Sequence, residues 1–252
     1  MTFFRKPRRA SALPKEEHFL LTIDGADIRV RLRRDARARR FTLRLPASGG
    51  DPVVTLPADG CSRAARNFAE RERHWLAARL KRRPDSVAFE EGALVPLRGI
   101  EHRIVSGGRH RGTVRREDGD LGPRLVVFGA AEHLSRRLTD WLKREARADI
   151  EAAVADHAAR LKVTPGRVTL RDTTTRWGSC SSSGALSFSW RLVLAPPEVL
   201  DYVAAHEVAH LKEMNHSPRF WRHVETLCPG MEEPRAWLRS NGPRLHAYGA
   251  GG

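Results

Sequence analysis

Cysteine is scarce in this chain. Its three copies, Cys61, Cys180 and Cys228, are odd in number, far apart, and include no C-x-x-C pair. Such a pattern does not suit a disulfide scaffold or an all-cysteine metal knuckle, so any metal site has to rest on histidine. Long apolar runs are also missing. None approaches the ~18–20 residues that cross a bilayer. Phe19-Leu20-Leu21-Thr22-Ile23 is too short to act as the apolar part of a secretion leader behind Arg5, Lys6, Arg8 and Arg9. A cytoplasmic location with no membrane partner is therefore the expectation.

Charge, in contrast, is plentiful and one-sided. The 252 residues hold 45 basic and 30 acidic side chains, a net +15, and only six of the basic residues are lysine. Residues 1–40 contain 12 basic and 5 acidic residues, so they supply +7 of the total. A field of that sign attracts nucleic acid or other anionic surfaces. Weak nucleic-acid binding through the basic N-terminal region is thus one expectation, although total charge does not reveal a binding face.

Residues 1–17 are charged, contain proline and have no period, which predicts a disordered basic tail. Beyond them Ile28, Val30 and Leu32, and then Phe41, Leu43 and Leu45, alternate with polar residues as half-wet strands do. Residues 62–82 read as a helix with Phe68, Trp75, Leu76 and Leu80 on one side. Strands return at 94–97, 102–105 and 125–128. Residues 18–129 thus read as a strand-rich subdomain crossed by one helix. Residues 131–162 form the clearest long helix, with Leu134, Leu138, Trp141, Leu142, Ile150, Val154 and Leu161 near 3.6-residue spacing. His157 lies near that stripe and reads as packing or surface. A strand and hairpin follow over 167–194, then a helix from about Glu198 to Met214. A short helix over 218–227, capped by Ser217-Pro218, and a last one near 231–240 complete the pattern. Residues 130–240 read as one domain and 241–252 as a frayed tail. No internal repeat is visible.

The chemistry centres on His206-Glu207-Val208-Ala209-His210. On a helix, residues four apart share a face, so both imidazoles can reach one ion. Glu207 sits about 100° round the helix from His206, where it can reach water on the metal rather than act as an in-line ligand. With 11 histidines and 17 glutamates, chance gives ~0.03 such motifs in the chain. Catalytic zinc takes three protein ligands and leaves a position open. His216, six residues after His210, can supply the third if a turn at Asn215 folds it back; His223, Glu225 and Glu213 compete for that role. The spacing is that of metzincin proteases, which have glycine where this chain has Glu213, so the turn must be made differently. Zinc on three neutral histidines keeps its full charge and lowers the pKa of bound water from about 15.7 towards about 7. Glu207 then suits the role of general base. Arg176, Tyr202, His223 and Arg222 are candidate oxyanion donors.

Two segments together resemble a known family. One reads Arg-Asp-Thr-Thr-Thr-Arg-Trp-Gly-Ser-Cys-Ser over 171–181, followed by Trp190-Arg191-Leu192. The other runs from Asp201-Tyr202 through the H-E-x-x-H motif to Asn215-His216-Ser217 and Phe220-Trp221. This closely resembles the YgjP-like metallopeptidase family, related to the SprT-like and other minimal zincins. The match is most specific over residues ~165–240. It implies an α+β fold: a zincin-like core of long helix, small sheet with hairpin and active-site helix, beside an N-terminal strand-rich subdomain. It also implies one Zn2+ per chain on His206, His210 and His216, Glu207 as base, and a peptide or protein substrate. The Trp177-Gly178-Ser179-Cys180 stretch would lie beside the site, where Arg176, Trp177, Tyr202 and His223 are candidate substrate contacts. Trp177 serves either peptide binding or packing, and Cys180 packing. Two alternatives come with the resemblance: hydrolysis of nucleotides such as UTP, as described for some members, and proteolysis of DNA-bound protein, as in the SprT-like relatives.

Overall fold

The computed structural model describes residues 17–46, 49–108, 112–120 and 122–249. The expected disordered tail therefore lies outside the described residues, apart from Glu17. The fold is mixed α and β, with six helices and three small sheets among the described residues. Its described residues divide into two compact units, one built from residues 17–46 and 51–82 and one from Arg83 onward, with 49–50 joining the second.

The first unit is a four-stranded sheet with two helices. Strands β1 (His18–Ile23), β2 (Ala26–Arg34), β3 (Thr42–Arg44) and β4 (Val53–Leu56) lie in the order β1-β2-β4-β3. The β1–β2 hairpin closes on Asp24-Gly25, both at positive φ, the two-residue turn whose twist matches paired strands. Leu21, Ile23, Val30, Val54 and Leu56 face a core completed by Ala65, Ala69 and Leu76. The single helix expected over 62–82 is two, α1 (Ser62–Arg71) and α2 (Arg73–Lys81), broken at Glu72, whose ψ of 7° leaves the helical range. Across that break Trp75 turns outward, 39% exposed, and lies beneath the Arg79 guanidinium rather than in the core.

The second unit contains the other two sheets. Strands β5 (Leu94–Leu97), β6 (Ile100–Ser106), β7 (Val114–Gly119) and β8 (Gly122–Val127) run β5-β6-β8-β7. The first sheet's arrangement recurs here: a hairpin, a parallel middle pair, then an antiparallel edge. Even the hairpin turn recurs, as Arg98-Gly99 at positive φ. No repeat is visible in the sequence, yet the topology is duplicated.

This second sheet shares its core with the long helix α3 (Leu134–Leu161). That is why the division falls near Arg82 rather than at 129. Leu138, Leu142, Ala146 and Ile150 are fully buried at four-residue steps along α3, the stripe that an amphipathic helix presents to a core. Trp141 and Leu161 only border it. The Arg98 fork binds Asp149 at 2.8 Å on both oxygens and Glu145 at 2.9 Å, and the Arg98 and Gly99 amides donate to the carbonyls of Val193 and Leu194. The hairpin tip is thereby fixed to α3 and to the segment that enters the next helix.

Strands β9 (Val168–Arg171), β10 (Gly178–Cys180) and β11 (Leu186–Ser189) form the third sheet, ordered β10-β11-β9, with β10 and β11 as the expected hairpin. A buried 3-10 turn over Trp190–Leu194 leads into α4 (Pro197–Ala209), followed by α5 (Pro218–Leu227) and α6 (Glu232–Leu245). The residues expected to fray from Asn241 are instead folded as far as they are described. Buried Arg191 binds Asp172 through two nitrogens and donates to the carbonyls of Leu245 and Tyr248, and the Val87 and Gly249 backbones pair. No helix of the described residues is long and apolar enough to cross a membrane.

Replacing Leu142, fully buried at the middle of the α3 stripe, by alanine should lower the unfolding free energy by ~2–5 kcal/mol. Urea denaturation measures it, and a loss below ~1 kcal/mol would contradict the packing of this face.

Candidate metal centre

Helix α4 is buried on nearly every side: nine of its residues, Glu207 among them, are buried. It packs on α3, where buried His157 bonds Asp201 at 2.8 Å, so the histidine noted on the α3 stripe is a packing residue. The helix also ends sooner than expected, at Ala209 rather than near Met214. The Ala209 carbonyl accepts from both Lys212 and Glu213, and the amide of Leu211 bonds Val208. Beyond this tightened turn Lys212, Met214 and Asn215 are exposed, so continuing the helix would bury nothing.

That early stop shapes the site. The Asn215 side chain accepts from the amide of Ser217 at 3.0 Å, and the Ser217 hydroxyl caps α5 by accepting from Phe220 at 3.3 Å. Pro218 occupies the first turn of α5. The chain doubles back and brings His216 to His206 and His210. Ring centres lie 5.0 Å apart for His206 and His210, 5.1 Å for His206 and His216, and 4.9 Å for His210 and His216. A ligand atom from each falls within 4.8 Å of the others, the one group of three such residues with metal-holding geometry among those described. The expected competitors His223 and Glu225 do not join it. Glu213 contributes its backbone carbonyl instead, 3.1 Å from Nδ1 of His210.

The floor of the cluster is Phe220, fully buried, whose ring lies within 5 Å of all three imidazoles. Trp221 flanks His206 and His216 and is itself covered by Arg235 of α6. This apolar lining pushes the pKa of His206 down to about 3, helped by the neighbouring imidazoles, and lowers that of His210. Burial drives Glu207 the opposite way, up to about 7, against a weaker pull from Arg176. The Glu207 carboxylate packs directly over the backbone of Gly178 on β10, and a Cβ there would fall 2.6 Å from its Cγ. Only glycine leaves that space.

The remaining candidates divide. Tyr202, one turn before His206 and edge-on to it at 6.0 Å, is buried. Arg176 is exposed, and its charge reaches Glu207. Trp177 stacks on His246 at 4.6 Å and receives Gly242 closely, so it packs the hairpin against the end of α6. Cys180 packs at the core margin. Among the described residues, no hydrogen bond, ion pair or ring contact joins His223 or Arg222 to the histidine cluster. Gly178 and Arg235 escaped sequence reasoning: the first could have been noticed in the Trp-Gly-Ser-Cys stretch, while the second had no local signal.

His246, buried beneath Trp177 with the Arg191 charge nearby, has its pKa pushed down to about 4 by burial first and Arg191 second. A depressed folded-state value means the chain resists protonation while folded. The contribution of neutral His246 is whole above ~6.5, the unfolded value, and is lost as pH falls towards about 4. His246→Phe should therefore flatten the decline of melting temperature between pH 6.5 and 4. An unchanged acid limb would refute this.

The model of the YgjP-like, metallopeptidase domain family matches residues 39–241. No curated protein matches the chain. Among solved structures, it is similar to the metallopeptidase zymogen abylysin of Pyrococcus abyssi, with 26% identity and a TM-score of 0.33 over 36% of this chain and 93% of that one. It is also similar to the zymogen jannalysin of Methanocaldococcus jannaschii, with 18% identity and a TM-score of 0.34 over 36% and 95%. Because the family match spans most of its length, this chain belongs to the YgjP-like family and carries the metallopeptidase domain of that family.

Proposed function

We propose that the chain is a zinc-dependent peptidase in which His206, His210 and His216 hold one ion and Glu207 moves the protons. Metal-dependent peptide hydrolysis comes with the metallopeptidase domain; the choice of metal, ligands and base is argued from the site's chemistry. The observation that carries it is the convergence of three imidazoles, with burial lowering the basicity of His206 and His210. Nε2 of His206 and Nε2 of His216 stand 3.2 Å apart, close to the roughly 3.3 Å edge of a tetrahedron with zinc–nitrogen bonds of about 2.0–2.1 Å. The bond of His210 Nδ1 to the Glu213 carbonyl places the proton on that nitrogen and leaves Nε2 free to ligate, the usual support for a metal-binding histidine. The apolar lining keeps His206 and His210 unprotonated, the form that ligates.

Bound zinc supplies Lewis acidity, which acidifies water and polarises the scissile carbonyl. Glu207 accepts the proton of the attacking water and later delivers it to the leaving amine. Burial suits it to both steps, because a carboxylate held near neutral pKa gives up a proton as readily as it takes one. Gly178 holds that carboxylate in place by offering no side chain. β10 is an edge strand, so a peptide can pair along it as an added strand and lie beside Glu207. Arg176, exposed beside this edge, is the residue available to meet developing negative charge. The fold in this reading is a zincin-like core assembled from α3, the β9–β11 sheet and α4.

Glu207→Gln should keep about one zinc per chain and lower peptide turnover by roughly 10²–10⁴-fold, whereas His206→Ala should lose the zinc. Metal analysis with a peptide-library assay reads both, and a fully active Glu207→Gln protein would sink the assignment. In Gly178→Ala the carboxylate has to shift. Turnover should fall by roughly 10²-fold, the cost of an ångström's misplacement, with zinc content unchanged.

A further inference from the structure

We infer that the first unit carries a nucleic-acid site, a cleft in which arginines left without carboxylate partners grip the phosphodiester backbone of a duplex. The cleft has a volume of about 330 Å³ and is lined by Arg33, Arg37, Arg39, Arg40, Arg44 and Thr55, among others.

Strand alternation builds it. Residues in a strand point to opposite faces in turn. Val30, Val54 and Leu56 take the core face. Arg33, Thr55 and Thr42 are therefore left as one row on the outer face, since Arg33 pairs with Thr55 and Thr55 with Thr42. Arg44, two residues along β3, joins the same face. The loop after β2 closes the cleft's other side. It is held by the Asp35 amide on the Leu56 carbonyl, by the Ala38 amide on Asp35, and by the Asp35 side chain on the Arg37 amide. This geometry is a fixed frame for arginine and does not require the side chains to be ordered by a ligand.

What sets this cleft apart from ordinary arginine-rich surface is that it gathers several arginines without acidic partners around one space. Elsewhere in the unit Arg29 faces Asp51, Arg34 binds Glu17, and Lys81 binds Asp24. Arg33 approaches only the cleft's sole carboxylate, Asp35, at 3.9 Å. Arg37, Arg39, Arg40 and Arg44 have no acidic partner among the described residues. The second unit provides an internal comparison, because its β5–β8 sheet has the same topology and is also rich in arginine. There Arg124 and Arg115 bind Glu117, and Arg116 approaches Asp118. A general preference for arginine explains both sheets' composition but not why Arg115, Arg116 and Arg124 of one sheet face acidic side chains while Arg37, Arg39, Arg40 and Arg44 of the cleft do not. The field is local as well: residues 17–82 carry 15 basic and 8 acidic side chains, +7, whereas 83–252 carry 25 and 21, +4.

The chemistry of the cleft selects its ligand. Four or more guanidiniums crowded together repel one another and call for a partner of high charge density. Duplex nucleic acid presents one charge per ~1.7 Å of axis and releases counterions on binding. Guanidinium forks match phosphate oxygens bidentately, and the half-buried Thr42 lies beside them. No aromatic side chain lines the cleft, so nothing there stacks unpaired bases as a single-strand site does. Contact is with the backbone and independent of sequence.

The test uses the full chain, a fluorescein-labelled 20-base-pair DNA duplex of mixed sequence, and anisotropy titrations across a salt series. Binding should weaken steeply with salt. Replacing Arg37, Arg39, Arg40 and Arg44 together by alanine should weaken it at least tenfold at low salt. The slope of log affinity against log salt should become shallower by roughly one per arginine. A comparison variant with Arg136, Lys143, Arg144 and Arg147 of α3 changed to alanine loses the same charge and should bind within twofold of the parent. Arg39→Glu with Arg40→Glu, confined to the exposed loop, gives the same reading if the quadruple variant folds poorly. Parallel titrations with duplex RNA tell which nucleic acid is the better source of the backbone. Equal loss in the α3 variant overturns the inference, as does no binding to either duplex. Equal competition by poly-glutamate, or by UTP at matched charge, also overturns it.

Discussion

The site depends on where one helix stops. α4 is buried against α3, the 3-10 turn and α6, and it must still present two imidazoles and a carboxylate to the same small space. It does so by ending at Ala209, with that residue's carbonyl taken by both Lys212 and Glu213. One more helical turn would carry His216 away from His206 and His210. Stopped there, the chain reverses through the Asn215 and Ser217 hydrogen bonds, and the third imidazole arrives over Phe220. The same turn supplies the Glu213 carbonyl that orients His210. A single backbone decision therefore sets both the number of imidazoles and the tautomer of one of them.

Around that turn, burial acts as a chemical instrument. Phe220, Trp221 and Tyr202 contribute little hydrogen bonding, yet their rings remove water from one side of the histidines. The same exclusion that keeps His206 neutral raises the carboxyl of Glu207. Opposite shifts follow from one cause, because low dielectric disfavours whichever form is charged. The β10 edge completes the enclosure through Gly178, and Trp177 anchors that edge to the end of α6 through His246. The turn after α6 thus supports the strand beside Glu207, which is why residues 241–249 are folded.

The two four-stranded sheets show how one topology serves two purposes. In the second unit the sheet shares a core with α3, and its hairpin tip, fixed by Arg98, braces the entry to α4. In the first unit the same strand order carries its own core and turns an arginine row outward. Neither use was visible as a repeat, because strand order is set by which edges pair, and a parallel pairing such as β2 with β4 leaves no mark on neighbouring residues. Alternation revealed strands; it could not tell that the strands at 94–127 would share a core with α3 rather than with β1–β4.

Sequence by itself determined what spacing and local chemistry can express. The i, i+4 pair of His206 and His210 with Glu207 between them, the α3 stripe from Leu134 to Val154, the β10–β11 hairpin and the Ser217-Pro218 start of α5 are all local patterns, and each was legible before any coordinates. The resemblance had already named His216; tertiary structure decided that spacing's other candidate, His223, stays out of the cluster, that Gly178 makes room for a carboxylate 29 positions away in the sequence, that Arg235 covers Trp221, and that four arginines near β2 and β3 lack acidic partners among the described residues. Those outcomes depend on which distant surfaces meet. Periodicity reports which face of an element is buried, whereas the partner that buries it is chosen by the packing of the whole chain.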